Sequence, residues 1–241
     1  MSVPVPDRRG GNGSEEVRAM VRTAAGRVML IGISILIVGF AASSAAEAGQ
    51  PLSWSFSDDP VGSAPPGWEV LSGRWEVQTE SGGANRVVTQ IGPPLPESAL
   101  AAILAPAPRA SDVRIGVRFR SAGTGAREAM GLLLRWQGPG TTLAVRVDGS
   151  PGWIWVDRVQ EGRRNVRAGY VIPPIRTGEW NSLRLAAVKG WLMLFFNGKF
   201  LGGVRDDDPV PGRVGLLAGP DGGVSLDDVV IEASPDTAAP G

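Results

Sequence analysis

Trp153, Trp155 and Asp157 stand at every second position of one short segment, with Ile154 and Val156 between them. In an extended chain successive side chains point to opposite faces, so the two rings and the acid share one face and the aliphatic pair takes the other. If the aliphatic pair is buried, two flat apolar rings lie outside beside a carboxylate. Such rings suit the C–H faces of sugars, and adjacent polar groups suit their hydroxyls. The same alternation admits the opposite arrangement, with the tryptophans as core. Arg118, Arg135 and Arg146 stand on the polar side of three successive alternating segments. There they would form a row across one sheet, and guanidinium forks bind carboxylates, sulfates and sugar hydroxyls. A solvated face with acids opposite is the other reading of that row. Trp54, Trp68, Trp75, Trp180 and Trp191 read as packing residues near strand ends.

What is missing narrows the chemistry. The chain has no His and no Cys. That removes the usual general base and zinc ligand, along with disulfides and thiol nucleophiles. There is no glycine-rich phosphate loop, no nucleophile-elbow serine and no metal-hydrolase His pair. The formal net charge is zero, so charge alone points to neither nucleic acid nor an anionic membrane as an obligatory partner.

The elements that must position these residues are short. The chain has 34 Gly and 20 Pro in 241 residues, which with many brief apolar runs suits a turn-dense β-protein. Leu52–Phe56 reads as a first strand, and residues 73–77 and 86–91 as a hairpin. Residues 99–104 are apolar and bounded by prolines. Val113, Ile115, Val117 and Phe119 alternate with Arg114, Gly116, Arg118 and Arg120. Met130, Leu132, Leu134 and Trp136 repeat the pattern, as do Leu143, Val145 and Val147. That period marks half-buried strands. Lys189-Gly190 and Asn197-Gly198 separate three apolar runs near the C-terminus. An Asn-Gly pair in that setting signals a hairpin, since a type I′ turn needs two residues that tolerate positive φ. Two antiparallel sheets that bury their apolar faces against each other satisfy all of these segments.

The Trp180-Asn181-x-Leu183 opening, the Asn197-Gly198 hairpin, Gly212–Leu216 and the closing Leu226-Asp227-Asp228-Val229 resemble the concanavalin A-like lectin/glucanase sandwich. Within it they are most similar to laminin-G-like and 3-keto-disaccharide hydrolase-like domains. Residues 56–77 resemble the opening of such domains, so the likeness spans about residues 52–233. It implies an all-β, two-sheet antiparallel jelly-roll sandwich that binds carbohydrate or a cell-envelope glycan. It also implies that first and last strands lie side by side, where Asp58, Asp59, Asp227 and Asp228 would hold a structural calcium ion. The E-x-D-x-x-E strand motif of the family's glucanases is absent, which leaves no catalytic residue to name. The reading is therefore a non-catalytic binding module. A glycan-acting hydrolase of the 3-keto-disaccharide type and a structural or protein-interaction domain are its alternatives.

Residues 1–48 read as a polar extension followed by a secretory signal: Arg22 and Arg27, the apolar run Val28–Ala42, then small residues ending in Ala46-Glu47-Ala48. Met20 is an alternative start. The run is short for a membrane span, although an uncleaved single anchor is the other reading. The sandwich would occupy residues 49–233 and a Pro/Ala-rich tail residues 234–241. The expected location is secreted or extracytoplasmic, with no membrane contact once the signal is removed. N-terminal sequencing of the exported protein should find Gly49 first, and a membrane-bound product that retains Val28–Ala42 would contradict this.

Overall fold

The computed structural model describes residues 50–80, 82–92, 100–121, 129–149, 152–219 and 222–234. The expected signal segment and nearly all of the expected tail lie outside these residues. The described residues form fifteen strands and no helix. In chain order these are β1 (Leu52–Trp54), β2 (Glu69–Ser72), β3 (Arg74–Thr79), β4 (Arg86–Ile91), β5 (Ala101–Leu104), β6 (Asp112–Ser121), β7 (Ala129–Gly138) and β8 (Thr141–Asp148). There follow β9 (Trp153–Gln160), β10 (Arg163–Val171), β11 (Asn181–Val188), β12 (Trp191–Phe196), β13 (Lys199–Arg205), β14 (Arg213–Ala218) and β15 (Val224–Ser234).

They build two antiparallel sheets. Sheet A runs β13-β12-β11-β6-β15-β4-β3, with β1 also paired to β15. Sheet B runs β10-β9-β8-β7-β14-β5-β2. First and last strands do lie side by side, Trp54 opposite Val229. The two C-terminal hairpins close as their residues dictate. Lys189 and Gly190 have φ of 49° and 75°, and Asn197 and Gly198 have 48° and 77°, the positive pair that a type I′ turn requires.

The core lies between the sheets. Val113, Ile115, Val117 and Phe119 of β6 are buried, as are Leu132 and Leu134 of β7, Ile154 and Val156 of β9, and Leu192 and Leu194 of β12. Each such side chain contributes about 1.5–3 kcal/mol by leaving water. With no disulfide available, this contact between inner faces is what holds the two sheets together. Trp68 and Trp75 belong to it, as expected of packing residues. Trp191 does not: it is 48% exposed on the opposite face of sheet A.

One buried polar latch joins the connection after β13 to the other sheet. The alternation of β7 slips after Leu134, where the β7–β8 register shifts, and Arg135 adopts a φ of 51°. Its side chain is therefore not on an exposed row. It is 3% exposed and ion-paired with Asp206, and it donates to the Ser111 carbonyl at 3.1 Å. Arg158 of β9 donates to the other Asp206 oxygen at 2.5 Å and to Asp208 at 2.9 Å. Gly212 lets the incoming chain close over Arg135, since a Cβ there would lie 2.2 Å from the Arg135 carbonyl carbon.

Removing one partner of a buried pair leaves the other charge desolvated and uncompensated. Asp206→Ala should therefore cost about 3–5 kcal/mol, read in urea or thermal unfolding. The double variant Arg135→Met, Asp206→Leu should lose markedly less.

Candidate functional site

On β9 the aliphatic residues face inward. Ile154 and Val156 are fully buried in the core, so Trp153, Trp155 and Asp157 stand on the outer face of sheet B. The two indoles stack, with centroids 4.9 Å apart and planes 11° apart. Gly169 of β10 lies directly opposite Trp155. A Cβ there would come within 2.7 Å of the Trp155 ring, so the ring packs against bare backbone.

Polar side chains fix the pair from one side. Trp155 donates its Nε1–H to Asp148 at 2.8 Å. Arg146, opposite Trp155 on β8, donates from Nε to Asp157 at 2.7 Å and lies 3.7 Å from Asp148. Arg164 reaches Asp157 at 3.0 Å. The sequence Arg164–Asp157–Arg146–Asp148–Trp155 is thus one continuous hydrogen-bonded and ionic chain. Charge-assisted bonds of this kind hold geometry firmly, and Asp157, only 1% exposed, is covered by the two guanidiniums it joins. The result is an aromatic surface, anchored at the indole nitrogen, bordered by donors and acceptors.

Of the six residues expected to make a sugar site, the structure brings together Trp153, Trp155, Asp157 and Arg146. The expected row of arginines does not form. Arg135 is buried in the latch, and Arg118 lies on the outer face of sheet A. The strands β6 and β7 are successive in the chain but belong to different sheets, which a period-two pattern does not reveal.

Arg118 belongs to a second cluster that the sequence reading missed. Arg118 and Arg120 each lie 4.8 Å from the ring centroid of Trp180, the residue just before β11. Trp180 donates to Glu80 at 3.2 Å, and Arg120 pairs with the same carboxylate at 2.6 Å. Asn85 bridges Glu80 and Asp227, at 3.2 and 3.1 Å, and Arg118 pairs with Asp228 at 2.8 Å. Alternation marks Arg118 and Arg120 as neighbours, but nothing local shows that Trp180 meets them. The hydrogen bond from Asn85, with smaller help from Trp180 and Arg120, holds the Glu80 carboxyl below its usual range. Burial pushes Asp227 up.

The acidic pairs expected to hold calcium sit differently. Asp227 accepts from Asn85 and from the Asp228 backbone N–H, Asp228 is neutralised by Arg118, and Arg86 occupies the Asp59 carbonyl at 2.7 Å. Among the described residues no three carboxylates converge as a metal site. A cleft of about 370 Å³ between the β10–β11 connection and the Asn197-Gly198 turn offers little more. Its two asparagines, Asn181 and Asn197, bond to each other at 2.9 Å.

No family model and no curated protein matches the chain. Solved structures do. The carbohydrate-binding module CBM66 from Bacillus subtilis is 17% identical, with a TM-score of 0.58, over 73% of this chain and 99% of its own. The VIP36 exoplasmic/lumenal domain, in a Ca2+/Man-bound form, is 17% identical with a TM-score of 0.52, over 74% and 88%. The Emp47p carbohydrate recognition domain is 12% identical with a TM-score of 0.51, over 80% and 99%. At such identities the likeness is one of fold. The chain has a concanavalin A-like two-sheet sandwich fold.

The Glu80 knot gives a pH signature. A carboxyl whose pKa is lowered by folding contributes stability that is present above its unfolded pKa and lost as pH falls through the folded one. Asp227, raised by burial, runs the other way: its contribution is present at acid pH and lost as pH rises. Glu80→Gln should be less stable than the parent at neutral pH, and the two should converge as pH falls below the usual glutamate range. Thermal melts of both proteins across that range check this. A constant gap at all pH values would contradict it.

Proposed function

We propose that this chain is a carbohydrate-binding β-sandwich module that acts outside the cytoplasm and performs no catalysis. The observation that carries the proposal is the stacked Trp153–Trp155 pair, placed outside the core and held by Asp148, Arg146 and Gly169. A sugar presents an apolar C–H face and a rim of hydroxyls, and this surface offers indole rings beside guanidinium and carboxylate groups. Arg146 is the natural donor to hydroxyls and Asp148 the natural acceptor. The names of the solved structures, a carbohydrate-binding module, a carbohydrate recognition domain and a Man-bound domain, support the same reading. A laminin-G-like kinship within the fold belongs to this proposal as well.

Binding is preferred to hydrolysis because Asp148 and Asp157 both face Arg146, and Asp157 is covered by Arg164 too. A general acid needs a carboxyl free to carry and release a proton at the scissile bond. Calcium has no part in the proposed recognition, since Asp227 is engaged with Asn85 and the Asp228 backbone N–H, and Asp228 with Arg118.

A glycan array, followed by calorimetry on the best hit, tests the proposal with one variant. Trp155→Ala should weaken binding more than about tenfold, since a lost aromatic contact is worth on the order of 1 kcal/mol or more. Its melting temperature should change little. Ile154→Ala, one residue away, should instead cost about 2–5 kcal/mol of stability. If Trp155→Ala melts like Ile154→Ala, or binds every glycan as the parent does, the site is elsewhere.

A further inference from the structure

The outer face of sheet A changes character at its β13 edge. On β12 the residues Leu192, Leu194 and Phe196 enter the core, which turns Trp191, Met193 and Phe195 outward. Their neighbours on the same face extend the apolar surface. Val188 stands opposite Trp191, Ala186 opposite Met193, and Phe200 opposite Phe195. Phe195 and Phe200 pack ring on ring at 5.2 Å. Trp191 is 48% exposed and Phe200 54%, so two large rings point into solvent on a strand pair that ends the sheet.

Cations surround this strip. Lys189 stands in the turn before β12, whereas the other lysine, Lys199, opens β13 opposite Phe196 and so lies on the inner side of that strand. Arg184 lies on the outer face, opposite Phe195, and Arg205 lies over Trp191 at 5.4 Å. The neighbouring arginines of β6 on this face, Arg114 and Arg118, are answered by Glu232 and Asp228. Among the described residues Arg184 has no such acid, and Lys189 meets Asp112 through its backbone N–H at 2.9 Å. Arg205 has Asp207 at 3.8 Å. The zero net charge of the whole chain conceals this separation.

We propose that the outer face of β11–β13 docks on a lipid surface that carries anionic headgroups. Three observations choose this occupant. The rim is cationic, which matches an anionic interface. A second copy would set that rim against itself, and like charges facing each other disfavour pairing. The centre of the strip holds Met193, Phe195, Phe200, Val188 and Ala186, with no hydrogen-bonding side chain, whereas an anionic polysaccharide would need such groups between its rings. Exposed aromatic residues that enter the interface, with Lys and Arg stems reaching the headgroups, are the usual chemistry of lipid-surface contact. This proposal is independent of the sugar site, which lies on the other sheet.

The test uses the full chain, so that residues 1–49 are the same in every sample. Parent, Trp191→Ser/Phe200→Ser and Arg184→Gln/Lys189→Gln proteins are sedimented with phosphatidylcholine vesicles, with and without phosphatidylglycerol. The parent should favour the anionic vesicles by at least about fivefold, and this preference should shrink with added salt. Both double variants should lose most of it while keeping the parent's melting temperature and glycan binding. Equal sedimentation of parent and variants with anionic vesicles would overturn the proposal. So would a concentration-dependent dimer that Trp191→Ser/Phe200→Ser abolishes, which would assign the face to a second copy. Capture of the parent by an acidic polysaccharide but not by anionic vesicles would overturn it as well.

Discussion

Everything in this protein depends on two apolar sheet faces closing on each other. There is no disulfide, and the buried latch of Arg135 with Asp206 involves ions whose desolvation offsets much of their attraction. The inward halves of the strands therefore carry the stability. A strand that turns every second residue inward must turn the others to the outer face. Ile154 and Val156 enter the core, so Trp153, Trp155 and Asp157 must leave it. Leu192, Leu194 and Phe196 enter it, so Trp191, Met193 and Phe195 must leave. The core thus decides where each surface feature lies before any surface interaction is considered.

The two outer faces then diverge in how they treat charge. Around Trp155 the ions form a closed chain that aligns a ring and leaves its apolar surface as the principal offering. Around Trp180 the arginines lie over the ring itself, and Glu80, Asn85, Asp227 and Asp228 satisfy them, which ties the β3–β4 hairpin to β6, β11 and β15. That arrangement serves as a knot across sheet A. Around Trp191 and Phe200 large rings stand in solvent beside Arg184 and Arg205, and an exposed apolar patch of that kind marks a surface that forms contacts elsewhere.

How much of this was legible in sequence follows from what period-two patterns contain. The strand segments, the I′ turns at Lys189-Gly190 and Asn197-Gly198, and the outward placement of Trp153 and Trp155 depend on neighbours in the chain, and local residues report them. The sheet to which a strand belongs depends on partners far along the chain, as β6 on β11 and β15, so alternation alone puts Arg118 and Arg146 in one row although they lie on different sheets. Bulges are the second blind spot. The slip after Leu134 put Arg135 inside, and the register shift in β15 between Asp227 and Val230 gave Asp227 a buried position and Asp228 an exposed one. Trp191 reads as a packing residue near a strand end, yet it shares the outer face of β12 with Met193 and Phe195.

Ile154 and Trp155 show why such a scaffold can carry a binding site at little structural cost. They are adjacent in sequence and share one strand, one register and the same pair of flanking strands. The side chain of Ile154 is surrounded by both sheets, so any change of volume there is felt as a cavity or a clash. Trp155 touches Gly169, Trp153 and Asp148, all of which belong to sheet B itself, and no residue of the core depends on its presence. Replacing it alters the surface and leaves the contact between sheets intact. The outer positions of β8, β9 and β10 can therefore change independently of the fold. Gly169 is the exception, because the backbone at that point must stay bare for the ring of Trp155 to lie where it does.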